Sequence, residues 1–418
     1  MTGAAGPGKV MNRAGLTLPR THYDKVVVGG GLLGLACAFY LRRLLPGETL
    51  LVVEADGIPS ETGASYVSPA LAHRAFGDAA LRRRALWAVR TLQTLEAETG
   101  LTRPSHPAFY RVGWVRLSAE PEAVQGLQTL ALENFLATLP QAGRENLAAL
   151  VNLAGVSWAL YDHEGGYGSA EAAALSYGQA AVTAGADLLL NGRAGLSSAG
   201  LKIERLEFDR AMRREVVGDE AVTADTVIVA AGARTRAVVE EGVGRRLPVA
   251  ASYMQYPRLQ ADARLRLEAG RVVMPVVEHW GLSLRPQGEG VLLVPPPLRP
   301  DPEGFEPEGG KLAGVPVGLR DELVEALLER LEAFPCLSWA SLNLGKTVVN
   351  VRGAWDVHTP AGRPEWLEVT GTDVWALLGG REGVTLGVAA AYDLAAHLAG
   401  VNGRPWDEGA LLEPGDLQ

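Results

Sequence analysis

The chain has 418 residues, a net charge of −9, 47% hydrophobic and 21% charged residues. That length exceeds one compact core and predicts two ordinary domains of a folded globular protein, and the acidic balance argues against a nucleic-acid surface. Two cysteines exclude a disulfide framework and fit a reducing compartment, and seven histidines without H-x-x-x-H or C-x-x-C spacing give no legible metal site.

The first residues are Gly- and Ala-rich with scattered Lys and Arg and no apolar h-region, so 1–22 reads as a flexible leader and not a signal peptide. No stretch reaches transmembrane length, and a cytoplasmic protein is expected. Lys25 to Val28 reads as a buried strand, Leu32 to Leu41 as a helix and Leu50 to Val53 as a second buried strand closing on Glu54. Between strand and helix, Gly29, Gly31 and Gly34 make a G-x-G-x-x-G pattern: the first for the tight turn, the second for approach to a pyrophosphate, the third for helix–strand packing. The helix start favours an anion by about 0.3 to 1 kcal/mol at an exposed site. Glu54 falls where a carboxylate accepts from a ribose diol.

Residues 55–65 are polar and turn-rich, with hydroxyls just beyond the ribose position. Leu81 to Thr99 reads as an amphipathic helix, Ala108 to Leu117 as a strand, and Pro121 to Leu153 as helical with a break at Pro140. Ser169 is the expected N-cap of a helix running to Gly185, followed by a strand over 186–190. A hairpin over 201–208 and 211–217 precedes a separate buried strand, Thr226 to Ala230, running into Ala231-Gly232-Ala233. Leu247 to Pro295 changes to longer aromatic-bearing strands of an antiparallel sheet. Pro295 to Gly310 is a long loop, Val317 to Phe334 an amphipathic helix, and Lys346 to Val351 a return segment. The strand Val374 to Leu378, the turn Gly379 to Gly383 and a helix from Val384 repeat the opening logic.

Taken together these pieces resemble the D-amino acid oxidase family of FAD-dependent oxidoreductases, the group with glycine oxidase and sarcosine oxidase. The similar stretches run in the family's order from Asp24 to Leu398: VVVGGGLLGLACAFYL, LLVVEA, ETGAS, GGYGSAEAAALSYGQAAVTAGADLLL, TVIVAAGA and LLGGREGVTLGVAAAYDLAAHL. The resemblance implies a two-domain α/β (α+β) fold. A Rossmann-like FAD-binding domain of 23–100, 154–246 and 346–412 would interleave with a substrate domain of 101–153 and 247–345 on a mostly antiparallel sheet. It implies non-covalent FAD, with Gly29, Gly31, Gly34, Glu54 and Ala55 at the ADP half and Thr62 and Ser65 near the pyrophosphate or flavin. Ala194 would lie near adenine, Ala230, Ala231 and Gly232 along the cofactor, and Gly380, Arg381, Glu382, Gly383, Val384 and Thr385 at the flavin ring. The reaction implied is hydride transfer from a carbon bearing an amine, so the cofactor carries the chemistry and no catalytic side chain is assigned.

One departure bears on substrate. Where relatives place a carboxylate-binding arginine, Asp356 stands here, and the assisting tyrosine falls near Leu282; Arg285, Arg352 and Arg381 are the alternative partners for a substrate carboxylate. An ionised Asp356 in the site would favour a cationic amine lacking that carboxylate. A flavoprotein that binds without catalysis and an NAD(P)-dependent enzyme are the competing readings, and the electron acceptor, oxygen, a quinone or another protein, stays open.

Overall fold

Val26, Val27 and Val28 are β-branched and buried on both faces, as an interior parallel strand requires. The computed structural model describes residues 6–12, 16–99, 108–197, 200–211, 213–259, 264–297, 299, 319–337 and 348–407. In it the strand His22–Val28 lies between Leu50–Val53 and the C-terminal half of Arg214–Val229, all parallel. Asp187–Leu189 and then Val10–Met11 extend the sheet on one side, and Val374–Leu378 with the antiparallel Glu365–Glu368 on the other.

Because side chains alternate along a strand, the sheet buries two faces. Val27, Val52, Leu50 and Ile228 pack under the helices Leu32–Leu44, Ala170–Thr183 and Gly387–Leu398. Val26, Val28, Leu51, Val53 and Val229 face the other way, toward the meander strands Gly192–Ser197 and Gly200–Phe208 and the helix Thr235–Val243. The helices approach through small residues. A side-chain carbon on Gly387 would lie 2.8 Å from Leu33 Cδ1, and one on Gly178 3.3 Å from Leu35.

The second sheet has the order Val348–His358, Ala250–Leu259, Gly290–Val294, Leu282–Gln287, Val276–His279, Trp114–Ser118, Trp158–Asp162, Gln128–Ala131. It is antiparallel except where Val276–His279 meets Trp114–Ser118. Leu259, Val291, Leu293, Leu284, Val277 and Val115 turn one face to the helices Leu132–Thr138, Gln141–Leu150 and Asp321–Leu328. The other face carries Trp114, Leu160 and Val276, which pack on Tyr167, and the end of Val348–His358 reaches Gly380. A small sheet of Leu71–Ala72, Gly166–Gly168 and Phe109–Tyr110 sits between the two.

Several elements differ from the sequence reading. Residues 10 and 11, placed in the leader, form the sheet's edge strand, fixed by Leu188 N–H to Lys9 O (2.8 Å) and Leu190 N–H to Met11 O (2.9 Å). The hairpin's second strand and the strand at 226–230 are one continuous element, Arg214–Val229. Its exposed half lacks apolar alternation because only Gly200–Phe208 supports it. The stretch 121–153 contains the strand Gln128–Ala131, and Pro140 caps its last helix. The strands Trp158–Asp162 and Val348–His358 lie in the second sheet although 154–246 and 346–412 were read with the first. Residues 298, 300–318 and 338–347 lie outside the described residues, and with them most of the Pro295 to Gly310 loop and the start of the 317–334 helix, described as Asp321–Leu328.

Candidate cofactor and substrate site

The strand His22–Val28 ends at Gly29, whose φ is +115°. A Cβ on Gly29 would sit 2.4 Å from Ala230 O, and one on Gly34 2.1 Å from Gly29 O, so both glycines are demanded by the closeness of helix, strand and neighbouring strand. Gly31 is different. It is the N-cap of Leu32–Leu44, and a Cβ there would meet only Ser65 Oγ, at 3.3 Å. The helix N-terminus therefore opens onto space suited to an anion. Leu32 N–H donates to Ser65 Oγ at 3.0 Å, which brings the predicted Ser65 to this opening. Thr62 is exposed, its hydroxyl 3.1 Å from Ser60 Oγ.

Glu54 closes the strand Leu50–Val53. Its Oε2 accepts from Gly30 N–H at 2.5 Å and its Oε1 from Asp56 N–H at 2.9 Å. Burial pushes its carboxyl above the usual range, while the backbone N–H groups of Gly30 and Ala55 and the nearby Arg214 and Arg234 draw it down. Arg214 pairs with Asp56, a neighbour that sequence spacing did not reveal because the meander strand brings it from far along the chain. Gly192 N–H donates to Glu54 O at 2.9 Å, so the buried Ala194 follows on the strand beside the acid, and Ala55 is half-buried next to it. Ala230 is buried; Ala231 begins a short turn over Gly232–Arg234, and Gly232 has φ +57° with open space at its Cβ position. The residues expected at an ADP group thus converge on one cradle. A dinucleotide fits it: glycines where backbone must be bare, an open helix N-terminus, and a carboxylate beyond it.

The strand Val374–Leu378 runs into a second glycine turn. Gly380 has φ +126°, and Gly383 N–H donates to Gly380 O at 2.7 Å. Thr385, fully buried, donates from Oγ1 to Leu71 O at 2.8 Å; the buried Val384 lies over Gly168. Glu382 Oε2 is 3.8 Å from His73 Nε2. The Nδ1 of that ring accepts from Ala75 N–H at 3.2 Å, and the ring stacks on Trp114 at 4.4 Å.

Register identifies what the second sheet presents here. Arg352 lies opposite Tyr256 and Asp356 opposite Ser252, and Leu292 lies opposite both Arg258 and Arg285. Directly paired residues share a face, so Arg352, Asp356, Tyr256 and Arg285 lie on the face opposite the helix-covered core. Val357 O falls 3.1 Å from where a Cβ of Gly380 would be, which seats the end of Val348–His358 against the glycine turn. Asp356 Oδ1 accepts from Val357 N–H at 3.0 Å. Burial raises its carboxyl to about 6, against a lowering by Arg381, and Glu382 adds a further push upward. Tyr256 is pushed well above the usual phenol range by burial and by Asp356.

The candidate arginines are not equivalent. Arg352 is exposed with its guanidinium 4.9 Å over the Tyr66 ring, and Arg381 is exposed beside Asp356. Arg285 is 9% exposed, lies 4.4 Å over the Tyr167 ring, and has no ion partner among the described residues. Tyr66, Tyr167, Tyr256 and His73 are not among the sequence candidates; register brings Tyr256 and Tyr167 here, Tyr66 lies under the Arg352 guanidinium, and His73 faces Glu382. His22, Asp24 and Asp225, a set no spacing pattern revealed, place ligand atoms within 4.8 Å of one another at the far end of the first strand. There Asp24 Oδ2 is already taken by the N–H and hydroxyl of Thr49, both at 2.6 Å.

No helix among the described residues is long and apolar enough to cross a membrane. A search of the curated proteins finds no match. Among solved structures the chain is similar to L-proline dehydrogenase from P. horikoshii (17% identity, TM-score 0.67, 95% of this chain and 98% of that one). It is similar also to glycine oxidase from Geobacillus kaustophilus (17%, 0.64, 96% and 99%) and to iminodiacetate oxidase from Chelativorans sp. BNC1 (19%, 0.64, 91% and 96%). At such identities the likeness is one of fold. The model of the FAD dependent oxidoreductase family matches residues 24–397, nearly the whole chain and every element of both glycine turns, and the chain belongs to that family.

Proposed function

We propose that the protein oxidises the C–N bond of a small amine or amino acid, using FAD held without a covalent bond. The observation that carries this reading is a polar sheet face whose Asp356 and Tyr256 lie beside Arg381 of the glycine turn 380–383, with Val357 O close to Gly380. The named structural neighbours, a glycine oxidase, a proline dehydrogenase and an iminodiacetate oxidase, agree with a nitrogen-bearing substrate. Non-covalent attachment is supported by the cysteines. Cys37 and Cys336 are both buried in apolar cores, and burial pushes each thiol up to about 12.

When bound, FAD supplies the acceptor for the hydride that leaves the carbon next to nitrogen. The chain's own contributions are placement and charge. The helix N-terminus at Gly31 and the Ser65 hydroxyl hold the pyrophosphate, and Glu54 holds the ribose diol. The sheet face orients the substrate. A protonated amine holds its electron pair in an N–H bond and does not release hydride, so Asp356 serves as the group that takes that proton. The imine that results is hydrolysed by water to a carbonyl compound and ammonia or a smaller amine.

The test is reduction of the purified yellow protein by a panel of amines and amino acids under nitrogen. Bleaching of the visible absorbance is the expected result. A protein that retains FAD but is bleached by no member of the panel overturns the assigned reaction and leaves a binding flavoprotein.

A further inference from the structure

We infer that Ser252 and His358 conduct protons between Asp356 and bulk water, and so return Asp356 to its accepting form after each turnover. This rests on the proposed role of Asp356 as the group that takes the proton of the substrate amine, and it adds two residues to that role.

Asp356 and His358 stand two residues apart on the strand Val348–His358, so their side chains share the face turned away from the apolar cluster of Tyr253, Trp355 and Val357. Ser252, on Ala250–Leu259, lies directly across the ladder from Asp356, and Ala250 lies across from His358. The serine hydroxyl reaches diagonally along that face: Ser252 Oγ is 2.7 Å from His358 Nε2. Ser252 is 1% exposed, the imidazole is half-buried, and just beyond it the chain passes into the exposed Pro360 and Ala361. The three side chains thus run in a line from the carboxylate at the site to the rim of the sheet.

A carboxylate that takes a proton from each substrate molecule must lose it before the next, and a substrate seated against Asp356 covers it from water. Its neighbours differ in what they can do with that proton. Arg381 is a permanent cation with no acceptor atom, and Tyr256, pushed well above the usual phenol range, keeps its own proton. Glu382, the rival acceptor, already faces His73 Nε2 at 3.8 Å. The Ser252 hydroxyl can accept one proton while it donates another. Directly paired residues hold their Cβ atoms about 4.5 to 5.5 Å apart, a gap that one bridging water closes. The Asp356 proton passes to Ser252 Oγ as the Ser252 hydroxyl proton passes to His358 Nε2. The imidazolium then releases a proton to water, which leaves the carboxylate, the hydroxyl and a neutral imidazole as before. Burial raises Asp356 to about 6 and is the cause that lowers His358. A carboxyl and an imidazole that ordinarily titrate about 2.6 pH units apart are thereby drawn together, so the transfer costs little.

The experiment uses the FAD-bound protein and the amine or amino acid that bleaches it fastest, in wild type, Ser252→Ala, His358→Ala and His358→Gln. Single-turnover bleaching at about pH 8, where Asp356 starts ionised, needs no relay; repeated turnover with a redox dye as electron acceptor does. The single-turnover rate holds in the three variants, whereas kcat falls on the order of 10-fold, the low side of the range for a lost proton-transfer group. Imidazole added to the solution restores kcat in His358→Ala alone, because only that variant leaves room for it beside Ser252. A merely structural role for His358 gives no such rescue. Without substrate, NMR of isotope-labelled histidines reads the resting link. His358 carries its proton on Nδ1 in wild type, and Asp356→Asn lowers its titration midpoint by about 0.4 pH unit, the effect of one charge about 7 Å away in water.

Should His358→Ala fail to hold FAD, Ser252→Ala and His358→Gln carry the test. An unchanged kcat in variants that retain FAD overturns the relay, and so does a fall in kcat that imidazole leaves untouched in His358→Ala. If no amine bleaches the flavin, the proposed reaction fails, and the NMR midpoint and tautomer by themselves decide whether Asp356 and His358 are linked: an unmoved midpoint overturns the link, and the expected shift sustains it.

Discussion

At Gly34 a methyl group would lie 2.1 Å from Gly29 O, whereas at Gly31 it would meet only the Ser65 hydroxyl at 3.3 Å. Gly34→Ala therefore forces the first helix off its strand and is expected to cost about 3 kcal/mol, the upper part of the range for overpacking, along with FAD retention. Gly31→Ala keeps the fold of the FAD-free protein and loses much of the cofactor, because the methyl enters only the space over the helix N-terminus. Thermal melting with and without added FAD separates the two. Glu54→Arg removes the proposed diol acceptor and puts a third cation beside Arg214 and Arg234, so the protein should purify colourless; normal FAD content in that variant would assign Glu54 to structure alone. Asp356 gives a pH dependence. Its carboxyl is raised to about 6, so it is protonated below that pH and accepts a proton only above it. The rate of flavin bleaching should fall as pH drops through about 6 in wild type, and Asp356→Asn should be slower and flat in that window. The groups facing it, Arg381, Glu382 and Tyr256, remain in the variant. An identical acid limb in Asp356→Asn would assign the proton to another group.

The helices of the first domain are held by a buried aromatic cluster as well as by small residues. Tyr40 of Leu32–Leu44 and Tyr177 of Ala170–Thr183 share a hydroxyl–hydroxyl hydrogen bond of 3.2 Å, with both side chains inaccessible. Tyr177→Phe strands the Tyr40 hydroxyl and should cost about 1 to 3 kcal/mol, whereas Tyr40→Phe with Tyr177→Phe should recover most of it. Denaturant unfolding of the single and double variants measures the coupling. Elements of this domain were legible in the sequence where local signals agree: the opening βαβ unit, the Ser169 cap, which accepts from Ala172 N–H at 3.1 Å, and the glycine turn before the last helix. Elements defined by distant partners were not. Gln128–Ala131 is too short for a period to show, and Val10–Met11 is a strand only because Asp187–Leu189 offers a bare edge. The charged half of Arg214–Val229 gave no alternation because both of its faces are exposed over residues 214–219.

For the whole molecule, the proposed chemistry lies where the two sheets meet, and that meeting was only half readable. The proposed dinucleotide cradle is local in sequence, with glycines and an acid at fixed spacing, so the order of residues alone offers its candidates. The substrate side depends on register between strands far apart in the chain. Asp356 is set by its pairing with Ser252, and Arg285 by its pairing with Leu292, and neither partner is visible in the linear sequence. The contrast among the arginines, two exposed and one buried without a counter-ion among the described residues, exists only in the packed structure. The most direct test of the account is the visible spectrum of the purified protein, taken under nitrogen before and after addition of amines and amino acids, followed by acid precipitation. The account predicts a flavin spectrum with about one FAD per chain, bleaching by a nitrogen-bearing substrate, and all of the flavin in the supernatant. A colourless protein that cannot be reconstituted with FAD, or flavin that stays with the pellet, would contradict it.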